Sequence, residues 1–180
     1  QSMVGLSNHL PVDVTLAAPR APIDLNGGYA WFANRGIGRP IEESIKAVGE
    51  SLLTWLDAAA TGHSGVALLG FSGGTAMAGG LVLAEPQRFS GAILLSGTLP
   101  WDAGYDTSDG RLAGLPVFWS IDADDAVIPR DLVERSEAWL RTSSGAALEE
   151  HRYPGVGHAI SVEELEGVSE FVTGLPRSLQ

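Results

Sequence analysis

Short apolar runs alternate along most of this chain with segments of helical periodicity, and this alternation restricts the possible folds more than any other feature of the sequence. Strands that alternate with helices of about ten residues indicate crossover connections, which join parallel strands. The sequence therefore predicts an α/β fold in which helices flank a mostly parallel sheet. The predicted strands are 12–18, 66–71, 92–95, 116–121 and 148–153, and the predicted helices are 41–60, 73–83, 130–140 and 162–172.

Local signals define these elements and the extent of the domain. The helix over 41–60 is predicted from apolar residues spaced three or four apart, and the strand over 66–71 from an uninterrupted apolar run. Pro86 ends the helix over 73–83, because the residue before a proline is disfavoured in the helical conformation. A chain of 180 residues is long enough for one sizeable core, so we expect a single domain over residues 1–180.

Composition makes several classes of function improbable. The formal net charge is −11 and the pI about 4.6, so we expect no nucleic acid partner and no attraction to anionic lipid surfaces. No apolar run approaches the roughly 20 residues of a membrane span, so no membrane insertion is expected. The absence of cysteine removes thiol catalysis and cysteine-based zinc sites. The N-terminus shows no signal pattern, and a cytoplasmic location is the expectation.

The pattern around Ser72 admits two interpretations. The residues G-F-S-G-G at 70–74 match G-x-S-x-G, which a chain with 23 glycines also produces by chance. Ser72 is then either a nucleophile on a sharp turn or a serine in a glycine-rich bend. An apolar run precedes the pattern and a helix-forming run follows it, which favours the nucleophile. The outer glycines are expected because side chains there would collide, and the Gly73 amide would face a developing oxyanion at the helix N-terminus.

Two further groups match the partners that a serine nucleophile requires. A hydroxyl is weakly nucleophilic at neutral pH, so a neutral imidazole must accept its proton and a carboxylate must orient that imidazole. The acidic cluster D-A-D-D follows one predicted strand, and His158 follows the next. Functional groups collect at the carboxyl ends of parallel strands, so Ser72, an aspartate and His158 are expected to meet. Asp122 and Asp124 compete with Asp125 for the role of the acid, and His158 is otherwise a loop histidine that caps a turn.

Four stretches of the chain carry a family resemblance. They are G-F-S-G-G-T-A-M at 70–77, D-A-V-I-P at 125–129, Y-P-G-V-G-H at 153–158 and A-P-R-A-P at 18–22. These stretches resemble the carboxylesterase and acyl-protein thioesterase branch of the α/β-hydrolase fold. The resemblance covers about residues 10–172 and implies that Ser72 is the nucleophile, Asp125 the acid and His158 the base. Such a triad requires no cofactor and no metal.

The function implied by this resemblance is hydrolysis of carboxylic esters through an acyl-enzyme. The expected partner is a small-molecule ester with a small or medium acyl group. A thioesterase or lysophospholipase would use the same apparatus, and the sequence does not separate these activities. A catalytically silent hydrolase fold used for binding is the alternative from a different class. The intact set of Ser72, Asp125 and His158 favours an enzyme.

Aromatic residues near the expected site have two possible roles. Tyr29, Trp31 and Phe32 lie in a glycine-rich loop over 26–40, and Trp101 lies beyond the end of a predicted strand. These four residues are candidates for the wall of an acyl pocket, since substrate clefts are mostly apolar and often aromatic. They are equally candidates for covering the core.

One part of the family pattern is not found. Members of this branch normally carry a further strand and a His-Gly loop upstream of the A-P-R-A-P stretch, and that loop supplies the second oxyanion amide. The sequence has no such segment, so we expect a core that lacks the N-terminal strands. Either the sequence omits residues of the real molecule, or strand 12–18 pairs directly with 66–71, or another chain supplies the missing edge, as in a homodimer. We favour the first explanation, because the other elements are intact.

Overall fold

A four-stranded parallel sheet with helices on both faces forms the centre of the molecule. The computed structural model describes residues 3–176, and residues 1–2 and 177–180 of the predicted domain lie outside this part of the chain. Within residues 3–176, every helix is too short or too polar to span a bilayer. The helices and strands, in chain order, are β1 (Ile23–Asp24), β2 (Tyr29–Ala30), β3 (Asn34–Gly36), β4 (Arg39–Pro40), α1 (Glu42–Ala59), β5 (Ala67–Phe71), α2 (Gly73–Ala84), β6 (Gly91–Leu95), β7 (Pro116–Ile121), α3 (Arg130–Thr142), β8 (Ala147–Arg152) and α4 (Val162–Gly174). Short 3₁₀ helices cover Met3–His9, Pro86–Arg88 and Trp101–Ala103.

The central sheet confirms the predicted α/β fold. Its strands lie in the order β5, β6, β7, β8, and every neighbouring pair is parallel. The carboxyl ends of these strands therefore meet at one edge of the sheet. The boundaries of the four strands lie within one residue of their predictions, and those of the four α-helices lie within two.

The two central strands, β6 and β7, are buried because their side chains alternate between two apolar layers. On one face, Leu94, Val117 and Trp119 pack with apolar residues of α1, α2 and α3. On the other face, Ile93 and Phe118 pack against α4. Every residue of β6 is buried, which explains its uninterrupted apolar run. This burial on both faces holds the strand ends in fixed positions.

The strand predicted over 12–18 is wrong. These residues form no strand, and the N–H of Val14 donates to the carbonyl oxygen of Pro11 at 3.1 Å. Val12 is fully exposed and Val14 is 37% exposed, so the alternating pattern does not correspond to a buried face. A strand also needs a partner strand, which a local pattern cannot provide. Among residues 3–176 no strand pairs with the outer side of β5, so the direct pairing of 12–18 with 66–71 is also wrong.

Two small antiparallel hairpins occupy the loop over 26–40 and the residues before it. β1 pairs with β2, and β3 pairs with β4. The first turn contains Asn26 and Gly27, both with positive φ, and an Asn-Gly pair is typical of a hairpin turn. Arg39 fastens the second hairpin, because its guanidinium bonds Asp102 at 3.4 Å and Asp131 at 2.8 Å. Since Asp131 lies in the first turn of α3, this hairpin is held near the carboxyl end of β7.

A buried acid links the start of α4 to the end of β7. Ser161 Oγ accepts the N–H of Glu164 at 2.9 Å, and Glu164 Oε2 accepts the N–H of Ser161 at 3.3 Å, which forms a capping box. Glu164 Oε1 accepts the hydroxyl of Ser120 in β7. Glu164 is only 2% exposed, and its burial raises the pKa of its carboxyl group above the ordinary value.

Glu164→Gln is expected to remove part of the pH dependence of stability. Above the ordinary glutamic acid pKa of about 4.3 and up to the raised pKa, the folded state binds more protons, so the free energy of unfolding falls as pH rises. Glutamine can keep the contacts with the Ser161 N–H and the Ser120 hydroxyl without a charge. The variant should therefore gain stability relative to wild type as the pH rises from about 4 towards the raised pKa of the wild-type carboxyl group. Urea unfolding across this range measures the gain. Glu163→Gln is the control, because it removes a charge from an exposed position in the same turn, and a pH-independent effect of Glu164→Gln would contradict the raised pKa.

Candidate active site

Ser72 lies on a strained turn between β5 and α2. Its φ is 56° and its ψ is −118°, a conformation that costs a residue with a side chain about 1–3 kcal/mol. Hydrogen bonds hold the turn in place: the N–H of Ser72 donates to Leu95 O at 3.0 Å, and the N–H of Thr75 donates to Ser72 O at 2.9 Å. Ser72 is therefore presented at the N-terminus of a helix, at the carboxyl edge of the sheet.

The two glycines that flank this turn do not have the same role. A Cβ at Gly70 would overlap the backbone carbonyl of Gly74 and would lie 2.6 Å from the backbone nitrogen of Thr75. A Cβ at Gly74 would meet only the indole nitrogen of Trp31, at an ordinary distance of 3.8 Å. The predicted steric need for glycine is therefore confirmed at Gly70. It is wrong at Gly74, because the Cβ position there faces the space beside Trp31.

Gly70→Ala is expected to lower the free energy of unfolding by about 3 kcal/mol, because the new methyl group overlaps backbone atoms that belong to the turn itself. Gly74→Ala is the matched control. It should leave the stability unchanged or raise it by up to about 1 kcal/mol, since alanine is the better helix former. Urea unfolding of both variants tests the difference. Equal effects of the two substitutions would show that the turn is looser than the structure indicates.

Ser72, His158 and Asp125 form a continuous hydrogen-bonded line. His158 Nε2 lies 2.9 Å from Ser72 Oγ, and His158 Nδ1 lies 2.8 Å from Asp125 Oδ2. The side chain of Asp125 is fully buried, and its Oδ1 accepts the N–H groups of Val127 at 2.8 Å and Ile128 at 3.3 Å. A carboxylate only accepts hydrogen bonds, so the imidazole proton lies on Nδ1 and Nε2 is free to accept from the serine hydroxyl.

Among the described residues, Asp125 is the aspartate of the D-A-D-D cluster that is hydrogen-bonded to His158, and the other two are not. The carboxylate of Asp122 accepts backbone N–H groups from Asp124 at 2.8 Å, Val156 at 2.7 Å and Gly157 at 2.8 Å. These hydrogen bonds hold the pKa of Asp122 below its ordinary value, and the bond from the Asp124 N–H makes the largest contribution. Asp124 is exposed. The geometry therefore favours Asp125 among the three candidates for the acid.

Phe71 is a site residue that the sequence analysis did not predict. It is the last residue of β5, and its ring centroid lies 4.9 Å from that of His158 with an angle of 34° between the planes. One face of the imidazole therefore rests against Phe71, which restricts rotation of the ring. In the sequence, only its position directly before Ser72 pointed to a role for Phe71 in the site. An apolar residue at the end of a strand is also expected from core packing alone.

Gly73 is the first residue of α2 and is exposed. The N–H groups in the first turn of a helix have no partner within the helix, so the Gly73 amide is open to a group beside Ser72. The helix dipole adds positive potential at this position. This is the location that an oxyanion donor requires, and the oxyanion role of Gly73 stays a prediction.

The three aromatic residues of the loop over 26–40 differ in their exposure. Tyr29 is 54% exposed, and its hydroxyl accepts a hydrogen bond from Arg20 at 3.4 Å. Trp31 lies near the turn, with its indole nitrogen facing Gly74. Phe32 is 4% exposed and packs in a cluster with residues of α1 and α2. Trp31 is thus the aromatic residue of this loop that the described contacts bring near the turn, whereas Phe32 covers the core, as the alternative interpretation stated.

Trp101 also has a packing role. Its indole nitrogen donates to Ser136 Oγ at 3.0 Å, and its ring makes an edge contact with Trp139 at 5.9 Å. The guanidinium of Arg135 covers the ring at 4.2 Å from the centroid. All three partners belong to α3, so Trp101 fixes its 3₁₀ turn to that helix rather than presenting a free aromatic face.

Comparison with known proteins places this arrangement in a family. The family model described as phospholipase/carboxylesterase matches residues 7–175. The chain belongs to the phospholipase/carboxylesterase family. This match confirms the resemblance seen in the sequence motifs.

The curated relatives of this chain are named as hydrolases. The carboxylesterase SOBER1 of Arabidopsis thaliana is 28% identical over 168 residues, covering 87% of this chain and 73% of that protein. Acyl-protein thioesterase 1 of Candida albicans is 24% identical over 173 residues, covering 88% of this chain and 75% of that protein. The chain spans between 62% and 75% of the length of the curated plant relatives that it matches.

A solved structure shows the same fold. The crystal structure of a carboxylesterase from Mesorhizobium loti matches with a TM-score of 0.83 at 24% identity, over 96% of this chain and 81% of that chain. This likeness shows the fold, and the names of the sequence relatives indicate the class of reaction. Together with the family match, they identify the chain as a carboxylesterase-like hydrolase of the α/β-hydrolase fold.

Proposed function

We propose that this chain hydrolyses carboxylic esters with Ser72 as nucleophile, His158 as general base and acid, and Asp125 as the group that orients the imidazole. The observation that carries the proposal is the hydrogen-bonded line from Asp125 Oδ2 through His158 to Ser72 Oγ, with distances of 2.8 and 2.9 Å. Nucleophile, base and orienting acid thus lie within the hydrogen-bond reach that such chemistry requires. The buried Asp125 side chain also stabilises the imidazolium that forms during the reaction.

Acylation follows from this geometry. Ser72 Oγ attacks the ester carbonyl carbon while its proton moves to His158 Nε2. The negative charge on the carbonyl oxygen develops beside the N-terminus of α2, where the Gly73 amide donates to it. When the tetrahedral intermediate collapses, the carbon–oxygen bond to the alcohol breaks and the alcohol takes the proton from Nε2. The acyl group remains on Ser72.

Deacylation repeats these steps with water. His158 Nε2 accepts a proton from water as the oxygen attacks the acyl carbon, and the same proton returns to Ser72 Oγ when the carboxylic acid leaves. Each turnover therefore ends with the neutral imidazole and the free hydroxyl. The contact with Phe71 keeps the ring aligned with both partners, since a rotated imidazole would face neither Ser72 nor Asp125.

The proposed substrates carry small or medium acyl groups. Among residues 3–176, no long insertion that would form a large lid interrupts the order of strands and helices. Thioesters pass through the same acyl-enzyme, and the Candida albicans relative is named as an acyl-protein thioesterase. Values of kcat/KM for oxygen esters and thioesters of equal acyl length would separate the two preferences.

Reaction with a fluorophosphonate probe tests the proposal directly. An activated serine displaces fluoride and forms a stable phosphonyl ester, which intact-mass measurement and peptide mapping detect. We expect one adduct, located on Ser72, together with turnover of p-nitrophenyl acetate and butyrate. A folded protein that neither labels nor hydrolyses these esters would support the alternative of a hydrolase fold used for binding.

A further inference from the structure

Asp122 connects the two loops that carry Asp125 and His158. Asp122 is only 5% exposed, so protein encloses its carboxylate. One carboxylate oxygen accepts the backbone N–H of Asp124 at 2.8 Å, within the loop that carries Asp125. The other oxygen accepts the N–H groups of Val156 at 2.7 Å and Gly157 at 2.8 Å, directly before His158. A single side chain therefore spans the two segments whose relative position sets the distance between the imidazole and Asp125.

The loop of His158 depends on contacts of this kind, because it lies between β8 and α4 and belongs to neither. Gly155 and Gly157 have φ values of 89° and 64°, in the left-handed region. The N–H groups of Val156 and Gly157 converge on one oxygen, which is the arrangement of an anion-binding nest. Without an acceptor, two adjacent N–H groups would lose their partner, and the loop would be free to change conformation.

We propose that Asp122 is a positioning residue that holds the His158 loop so that the imidazole faces Ser72 and Asp125 at the same time. This inference rests on the proposed ester hydrolysis. Asp122 acts through the backbone, since both of its oxygens accept backbone N–H groups. It therefore differs from Asp125, which contacts the imidazole itself.

A carboxylate suits this task better than an amide. Three N–H donors surround the two oxygens, so both oxygens have to accept. An asparagine has one accepting oxygen, and its amino group would face at least one backbone N–H in either orientation. Asp122→Asn thus weakens the connection between the loops without removing volume.

The test compares Asp122→Asn with Asp124→Asn, which removes the same charge from an exposed position in the same loop. We expect Asp122→Asn to lower kcat and the rate of fluorophosphonate labelling by about 10- to 100-fold, with KM within twofold, because small misplacements of a catalytic group cost about this much. Asp124→Asn should stay within about twofold of wild type. Both variants are compared with wild type in the absence of urea, at a temperature where circular dichroism shows that each protein is folded.

A spectroscopic readout separates positioning from simple stabilisation. The proton on His158 Nδ1, bonded to Asp125, should give a far-downfield proton resonance that weakens or exchanges faster with water in Asp122→Asn. A variant that is less stable but keeps the wild-type kcat and the wild-type resonance would overturn the proposal. If the wild type itself neither labels nor hydrolyses esters, the proposed function fails instead, and the two failures are thereby distinguished.

Hydrogen exchange of the wild-type protein provides a measurement that does not depend on a folded variant. The amides of Val156 and Gly157 should exchange far more slowly than the amide of Gly28, which lies in another exposed turn. Exchange of all three amides at the same rate would show that the carboxylate of Asp122 does not hold the loop, and would overturn the proposal.

Discussion

Ser72→Ala is expected to lower kcat for ester hydrolysis by about 10⁶-fold, to the level set by binding and the oxyanion donor alone. The alanine removes the only atom of this residue that bonds His158 Nε2, so no group remains to form the acyl-enzyme. Steady-state kinetics on p-nitrophenyl acetate and intact-mass analysis after fluorophosphonate treatment both report the loss. Activity within tenfold of wild type would rule out Ser72 as the nucleophile.

Ser72→Gly is the companion variant that separates activity from strain. It should be as inactive as Ser72→Ala, but its free energy of unfolding should be higher by about 1–3 kcal/mol, because glycine adopts a φ of 56° without the cost borne by a side chain. Urea unfolding of the two variants measures this difference. Equal stability would mean that the turn carries little strain.

Asp125→Asn is expected to lower kcat by about 10⁴-fold. Asp125 Oδ1 accepts the N–H groups of Val127 and Ile128, so the asparagine oxygen is expected to keep these two bonds. Its amino group then faces His158 Nδ1 and donates to it, which transfers the imidazole proton to Nε2. An imidazole protonated on Nε2 cannot accept the proton of Ser72, so the base is lost while the geometry is kept.

The D-A-D-D cluster supplies the controls for this prediction. Asp124→Asn is expected to remain within about twofold of wild type, and Asp122→Asn to lose about 10- to 100-fold through the displaced loop. Kinetics of the three variants therefore give three separate levels of activity. Equal losses would contradict the assignment of Asp125 to the orienting role.

The sequence predicted the main secondary structure because local periodicity reflects local burial. The run before Ser72 and the helical spacing over 41–60 each indicated an element whose observed bounds differ by one residue at most. The segment over 12–18 shows where this reasoning fails. Its V-D-V-T-L pattern is typical of a strand, but a strand forms only beside a partner, and pairing depends on residues far away in the chain.

The aromatic candidates for a pocket wall show the same limit at the level of side chains. Phe32 and Trp101 have the chemistry of a pocket wall, yet the structure buries the first and packs the second against α3. Residue type fixes what a side chain prefers to contact. Its neighbours are set by the packing of helices and hairpins that are distant in sequence.

The sequence by itself determined the α/β order, the turn at Ser72 and the three kinds of side chain at the strand ends. These features follow from periodicity, from glycine at a crowded turn, and from the position of loops after parallel strands. Position in the sequence left three aspartates as candidates for the acid, and only the family resemblance favoured Asp125. The tertiary structure brings Asp125 to His158, and it alone shows what Asp122 does. Neighbouring acids within one loop are chemically alike, and their roles differ only because folding brings the imidazole within 2.8 Å of Asp125 and the backbone of the next loop within 2.8 Å of Asp122.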